Sequence, residues 1–290
     1  MPAIHMILNI VLVAGFFGLG FYLAKKGRGA RICAISVAFL VGALGYFLNF
    51  RPDIFTRLFP FSFVIFYSSW YPLAVVLIGP SAFHFGKNRF QRIRLSVLLS
   101  LLFLLSLYPF YYYFLPSAHT GDLRIDENGI CRQSSLDTCS AAACVTLLGR
   151  YGISVTETEV ARLALTRKKI GTRTLGEYRA LKILLDESGK KGKVRIRRMD
   201  SGELLNFPGD CIVTVGLEKR DPKNEIERDL AGKYQWTPGV MHDVVYLGRK
   251  PGEPDKVLIG EPDFGLETWW AFQLKHLFRG YAVTVEMEND

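Results

Sequence analysis

Hydrophobic and polar positions follow two different rules along the 290 residues. Up to residue 116 the apolar side chains come in blocks, at 4–24, 32–50, 60–80 and 95–115. Each block is close to the ~20 residues that cross hydrocarbon as a helix, and each has an uncharged interior, which predicts four transmembrane helices in a membrane domain over 1–116. The first begins MPAIHM, without the basic start of a signal peptide, and no small-x-small cleavage site precedes Lys25, so a retained span is expected. Pro60, Pro72 and Pro80 bracket and interrupt the third, a pattern that neighbouring helices tolerate. The fourth ends in YPFYYYF, whose Tyr108, Tyr111, Tyr112 and Tyr113 suit an interfacial aromatic belt.

Beyond residue 116 the pattern is that of a globular domain. A polar stretch over 117–129 predicts a linker, and the domain occupies 130–290. Asp137 or Thr138 is placed to cap a helix that runs CSAAACVTLLGRY and stops at Gly152. Thr156 with Glu159, and Thr174 with Glu177, have capping-box spacing and start two further helices, the second stopped by Gly189. The period then changes to two: KVRIRRM, CIVTVGL, DVVYLG, KVLIG and YAVTVEM predict strands, interrupted by one helix over about 269–278. Helices followed by an antiparallel sheet define an α+β domain with its helices packed at one side.

Charge sharpens this division. Residues 1–116 carry ten lysines and arginines against one acid, Asp53, whereas the remainder carries 26 bases and 26 acids. The net charge of +9 therefore belongs to the apolar part and concerns membrane topology, and no nucleic-acid partner is expected. The connecting segments KKGRGAR and KNRFQRIR hold four bases each, but RPDIFTRLF holds only Arg51 and Arg57. The base-rich loops are expected in the cytoplasm, which puts both termini and residues 117–290 on the opposite face.

Candidate chemistry centres on Cys139. A cysteine in the first turn of a helix gains a lowered pKa from the helix dipole, the first requirement of a thiol nucleophile. Gln133, six residues upstream, is close enough to aim its amide where the Cys139 backbone N–H points, which together make an oxyanion hole. His242 begins the strand DVVYLG, and the next strand ends in EPDFG, offering Glu261 and Asp263. Adjacent antiparallel strands would then hold imidazole beside carboxylate, in the correct tautomer.

On these residues the sequence resembles the bacteriocin-processing, double-glycine-leader cysteine peptidases of peptidase family thirty-nine, which are papain-like. The resemblance runs along most of 131–285, through QSSLDTCSAAACVTLLGRYG, GTRTLGEYRAL, GVMHDVVYLG and GEPDFG. It implies a papain-like fold and a thiol protease, with Cys139 as nucleophile, His242 as general base and acid, Gln133 as oxyanion donor and Glu261, or in fallback Asp263, as the acid that orients the histidine. It also implies a peptide or protein substrate, a bacterial cytoplasmic membrane and a separate transporter as partner. Three departures stand out. Thr138 separates Asp137 from Cys139, Ser140-Ala141 stands where the family has Gly-Pro, and Glu261 replaces an aspartate. No G-x-x-x-x-G-K-[ST] loop occurs, so no complete ATP-driven exporter is expected. Family exporters hold the peptidase in the cytoplasm, opposite to the side that the charge pattern indicates here.

Other residues are assigned more ordinary roles. Cys144 belongs to the core, and Cys131 and Cys211 form either a disulfide or two thiols. No C-x-x-C or close histidine pair occurs, so neither a metal nor a cofactor is expected. The six bases of KKGKVRIRR are a solvated strand face or a contact for anionic membrane lipid. Acyl transfer on the same site and an inactive peptide-binding module are the competing functions.

Overall fold

The computed structural model describes residues 2–67, 88–106, 108–217, 225–234 and 236–288. Most of the third apolar block, from residue 68 on, lies outside the described residues. The chain forms two compact units, one of residues 1–59 and 63–115, the other of 60–62 and 116–290.

In the first unit, α1 (Pro2–Lys25) and α2 (Arg28–Phe50) pack against each other, with the chain broken between them at Gly27, whose φ of +121° is open to glycine alone. α2 buries Ala34, Ala38, Gly45 and Leu48 and leaves Val37, Phe39, Leu40 and Leu44 exposed. Among the described residues, α2 is the helix that is long and apolar enough to cross a membrane. Pro52, pre-set for a first helical turn, opens the short α3 (Pro52–Leu58). In the fourth block, α4 (Arg89–Ser106) and α5 (Tyr108–Phe114) stand on either side of residue 107.

The second unit is built on a six-stranded antiparallel sheet of β3 (Gly192–Arg198), β4 (Cys211–Gly216), β5 (Met241–Lys250), β6 (Glu253–Glu261), β7 (Gly265–Trp270) and β8 (Phe278–Met287), in the spatial order β3-β8-β4-β5-β6-β7. Before it, β1 (Arg124–Ile125) pairs with β2 (Cys131–Arg132), and three helices follow: α6 (Cys139–Arg150), α7 (Glu157–Ala164) and α8 (Thr174–Glu187). α6 packs on β4, β5 and β6, while α8 packs on β3 and β8. Alternation along the central strands sends Val213, Val215, Val244, Tyr246, Val257 and Ile259 to the other face. There they form a core with α9 (Ser201–Leu205) and α11 (Ala271–Leu277). α10 (Glu225–Tyr234) contributes Tyr234 to the same core.

Four features differ from the sequence expectation. The helices lie on both faces of the sheet, because CIVTV is apolar at consecutive positions and a strand of that kind needs cover on both sides. The polar stretch 117–129 is tied to the domain rather than free: Arg124–Ile125 forms a ladder with β2, and Ala118 N–H donates to Thr166 O (3.1 Å). Thr174 is the first helical residue of α8 and caps nothing, because Arg173 holds the cap position and Glu177 is drawn into the interior. Trp269 and Trp270 end β7, and the helix placed at 269–278 spans only Ala271–Leu277.

Candidate active site

The loop before α6 is shaped by short polar bonds. Thr138 Oγ1 donates to Ser135 O (2.9 Å) and accepts from Ser135 N–H (3.1 Å), closing a turn that delivers Cys139 as the first residue of the helix. Upstream, Ser134 N–H donates to Glu157 Oε1 (3.0 Å), so a buried carboxylate in the first turn of α7 holds the approach loop. Gln133 N–H donates to Pro262 O (2.9 Å), and Arg132 Nε donates to the same carbonyl (3.3 Å). The loop that carries Gln133 is thereby fastened to the turn after Glu261. The Gln133 side chain is buried, and its Oε1 has no donor among the described residues.

β5 and β6 bring imidazole and carboxylate together. The pairing Val245↔Gly260 sets the register, so Glu261 and His242 lie diagonally across the same sheet face. His242 Nε2 hydrogen-bonds Glu261 Oε1, and Glu261 Oε2 accepts the backbone N–H groups of Asp263 (2.6 Å) and Phe264 (2.7 Å). Glu261 leaves Nδ1 of His242 open, and the Cys139 side chain interacts with the same imidazole. Burial acts to push the imidazole pKa down, but the bonds to Cys139 and Glu261 and their charges outweigh it and hold His242 well above its ordinary value. The imidazole is thereby favoured in its protonated form.

Glu261 is fully buried and Asp263 only partly so. Asp263 donates its backbone N–H to Glu261 Oε2, and burial followed by the Glu261 charge pushes its own carboxyl up. Ligand atoms of His242, Glu261 and Asp263 lie within 4.8 Å of one another, a spacing a metal ion could use. The imidazole nitrogen that faces them is already engaged with Glu261, so the donor set suits proton transfer better than metal ligation.

Of the residues singled out from sequence, Cys139, His242 and Glu261 meet in one place, and Gln133 is fastened beside them through Pro262. Cys131 and Cys211 are separate buried thiols, and burial above all pushes the Cys131 thiol up to about 12. Cys144 and Trp269 are buried in the core, whereas Trp270 and His276 are exposed.

Sequence reasoning missed Trp236. Its ring lies 5.4 Å from that of His242 and stacks on Tyr234 at 4.9 Å. Tyr234 Oη donates to Glu267 Oε2 (2.8 Å), which also accepts from Trp269 Nε1 (2.7 Å), so the aromatic wall behind the imidazole is itself anchored. Trp236 falls between recognisable elements, and no periodicity marks it.

No protein-family model matches the chain, and no curated protein matches it. Solved structures similar to part of it include the peptidase domain of Streptococcus ComA, a bifunctional ABC transporter of a quorum-sensing pathway. That domain is 19% identical, over 54% of this chain and 96% of that one, with a TM-score of 0.40. A double-glycine-motif protease from an AMS/PCAT transporter, in complex with its leader peptide, is 15% identical over 60% of this chain and 97% of that one, with a TM-score of 0.40. The peptidase domain of Streptococcus mutans ComA is 18% identical over 53% and 95%, with a TM-score of 0.34.

Proposed function

We propose that the chain is a membrane-anchored, papain-like cysteine peptidase. The observation that carries this reading is the position of His242, which hydrogen-bonds the buried carboxylate of Glu261 and interacts with the Cys139 side chain. An acid, an imidazole and a helix-terminal thiol in that order are the parts an activated sulfur nucleophile needs.

In the reaction the Cys139 thiolate attacks the scissile carbonyl. The tetrahedral oxyanion is stabilised by the Cys139 backbone N–H and the Gln133 side-chain amide. The His242 imidazolium protonates the departing amine, which leaves a thioester on Cys139. His242 then takes a proton from water, and the hydroxide releases the carboxylic acid and the free thiol. Glu261 keeps the ring in the tautomer that presents Nδ1 to sulfur.

The sequence resemblance supports a leader-type peptide cut after small residues, handed over by or to a separate transporter. The four apolar blocks support a multi-pass anchor, and the charge of their loops supports a peptidase domain outside the cytoplasm. In the test, the full-length chain in detergent is incubated with peptides that carry glycine pairs, and the products are read by mass spectrometry. Cleavage that Cys139→Ala abolishes is expected; cleavage that survives this substitution would sink the mechanism. A reporter that works only outside the cytoplasm, fused at residue 290, is expected to be active.

A further inference from the structure

The two residues that follow the nucleophile and the base are bonded to each other. Ser140 Oγ donates to Asp243 Oδ2 at 2.5 Å, next to the contact between Cys139 and His242. Alternation along β5 puts Asp243 and His242 on opposite faces of the strand, so Ser140 meets Asp243 on one face and Cys139 meets His242 at the helix start. Behind them stands Glu177 of α8, which is buried and within hydrogen-bonding reach of Asp243.

Two ionised carboxylates cannot bond each other, since each offers only acceptors. Glu177 Oε2 and Asp243 Oδ1 are both buried, and neither has a donor among the described groups. A proton between the carboxyls supplies what is missing. The groups that face Glu177 are Asp243 from β5 and Cys139 and Ser140 from α6. Cys144, further along α6, faces Glu177, Asp243 and Cys139. Burial, then the Asp243 charge and hydrogen bond, then Cys139, push the Glu177 carboxyl well above the usual carboxylate range, and only the Ser140 hydroxyl acts the other way.

We propose that Glu177, Asp243 and Ser140 form a buried chain, with one proton held between the two carboxyls, that positions the Cys139–His242 couple. Asp243 accepts from the Ser140 hydroxyl and shares the proton with the Glu177 carboxyl. This pins the start of α6 to β5 and fixes the separation of sulfur and imidazole. Neither Ser140 nor Asp243 needs to touch substrate, so both are positioning residues. The proton also matters for charge: a second buried anion beside Cys139 would oppose the thiolate and the oxyanion that follows it. The consequence for catalysis rests on the peptidase reading above, although the geometry does not.

Two measurements on the full-length chain in detergent test the proposal without any substrate. The first is the infrared difference between wild type and Glu177→Gln at neutral pH. The carbonyl band of a neutral carboxylic acid is expected, and its absence would overturn the assignment of the proton. The second is the rate at which iodoacetamide, a neutral electrophile, alkylates Cys139, followed by mass spectrometry in Ser140→Ala, Asp243→Asn and the double variant. Each single change is expected to slow alkylation about tenfold, the scale of one hydrogen bond to a charged group, and the double variant no further than the slower single. Independent effects that multiply to about a hundredfold would show that the two residues do not act as one unit. If Asp243→Asn fails to fold, Ser140→Ala, which removes one hydroxyl from a helix, decides alone: an unchanged rate overturns the proposal. A wild-type chain with both signatures that cleaves no peptide would count against the peptidase reading only.

Discussion

Glu261 gives one carboxylate oxygen to His242 Nε2 and the other to the backbone N–H groups of Asp263 and Phe264. The carboxylate is therefore fixed from behind by its own turn before it fixes the imidazole in front. Asp263, two residues on, serves the same turn through its backbone.

The two acids are expected to separate cleanly under mutation. Glu261→Gln leaves an uncharged amide against Nε2 and removes the partner that stabilises the imidazolium, so kcat/KM should fall by about 10²- to 10⁴-fold. Asp263→Asn retains the backbone N–H that holds Glu261 and should change kcat/KM by less than about threefold, the scale of one partly exposed charge. Steady-state kinetics on both variants checks the assignment, and the reverse ranking would make Asp263 the orienting acid.

His242 should also make folding stability depend on pH. Its pKa in the folded chain lies well above the ~6.5 of an unfolded histidine, against the effect of burial and because of Cys139 and Glu261. The folded state thus binds the proton more tightly, and this contribution is complete below about pH 6.5 and disappears as pH rises through the folded pKa. Thermal midpoints of the wild type should decline over that window, and those of His242→Gln should lack this component. Cys139→Ala removes one of the two partners that raise the imidazole, so its decline should be smaller and end at lower pH. Identical curves for wild type and His242→Gln would mean that no ion pair forms.

How much of this could be read in the sequence depends on the range of the interaction. The strands KVRIRRM, CIVTVGL, DVVYLG, KVLIG and YAVTVEM announce themselves by period two, and all five are strands in the structure. The adjacency of the His242 and Glu261 strands followed from their order, because successive antiparallel strands tend to pair. The spacing of Glu177 from Thr174 satisfies a local capping rule, whereas the side chain is buried and interacts with Asp243, 66 residues away in the sequence. Trp236 and the pairing of Ser140 with Asp243 are likewise long-range contacts with no local signature. The second helical layer has no clear sequence signal because α9 and α10 are short and polar in outline, and only the core they share with the sheet reveals what they cover.

Gln133→Ala offers a test of the oxyanion site that leaves the scaffold in place. The Gln133 backbone N–H keeps its bond to Pro262, so the approach loop and the turn after Glu261 remain joined. The loss of one side-chain donor should reduce kcat by about 10²-fold or more, with KM and the thermal midpoint little changed. A variant with normal kcat would remove Gln133 from the mechanism.

The same substitution should have opposite signs at two helical glycines. A Cβ at Gly176 would stand 2.3 Å from Ala164 O and 2.9 Å from Thr172 Cγ2, because α8 crosses the end of α7 at backbone contact. A Cβ at Gly149, near the exposed end of α6, meets nothing within 4 Å. Gly149→Ala should therefore stabilise by up to about 1 kcal/mol, the difference in helix propensity. Gly176→Ala must push α8 outward at a cost of about 1–3 kcal/mol, which lowers the thermal midpoint by roughly 2–4 °C per kcal/mol in a domain of this size. Moving α8 also draws Glu177 away from Asp243, so the Gly176 variant should alkylate Cys139 more slowly, whereas the Gly149 variant should react at the wild-type rate. If Gly176→Ala destabilises the domain and leaves Cys139 reactivity intact, then the position of α8 supports the fold without reaching the nucleophile.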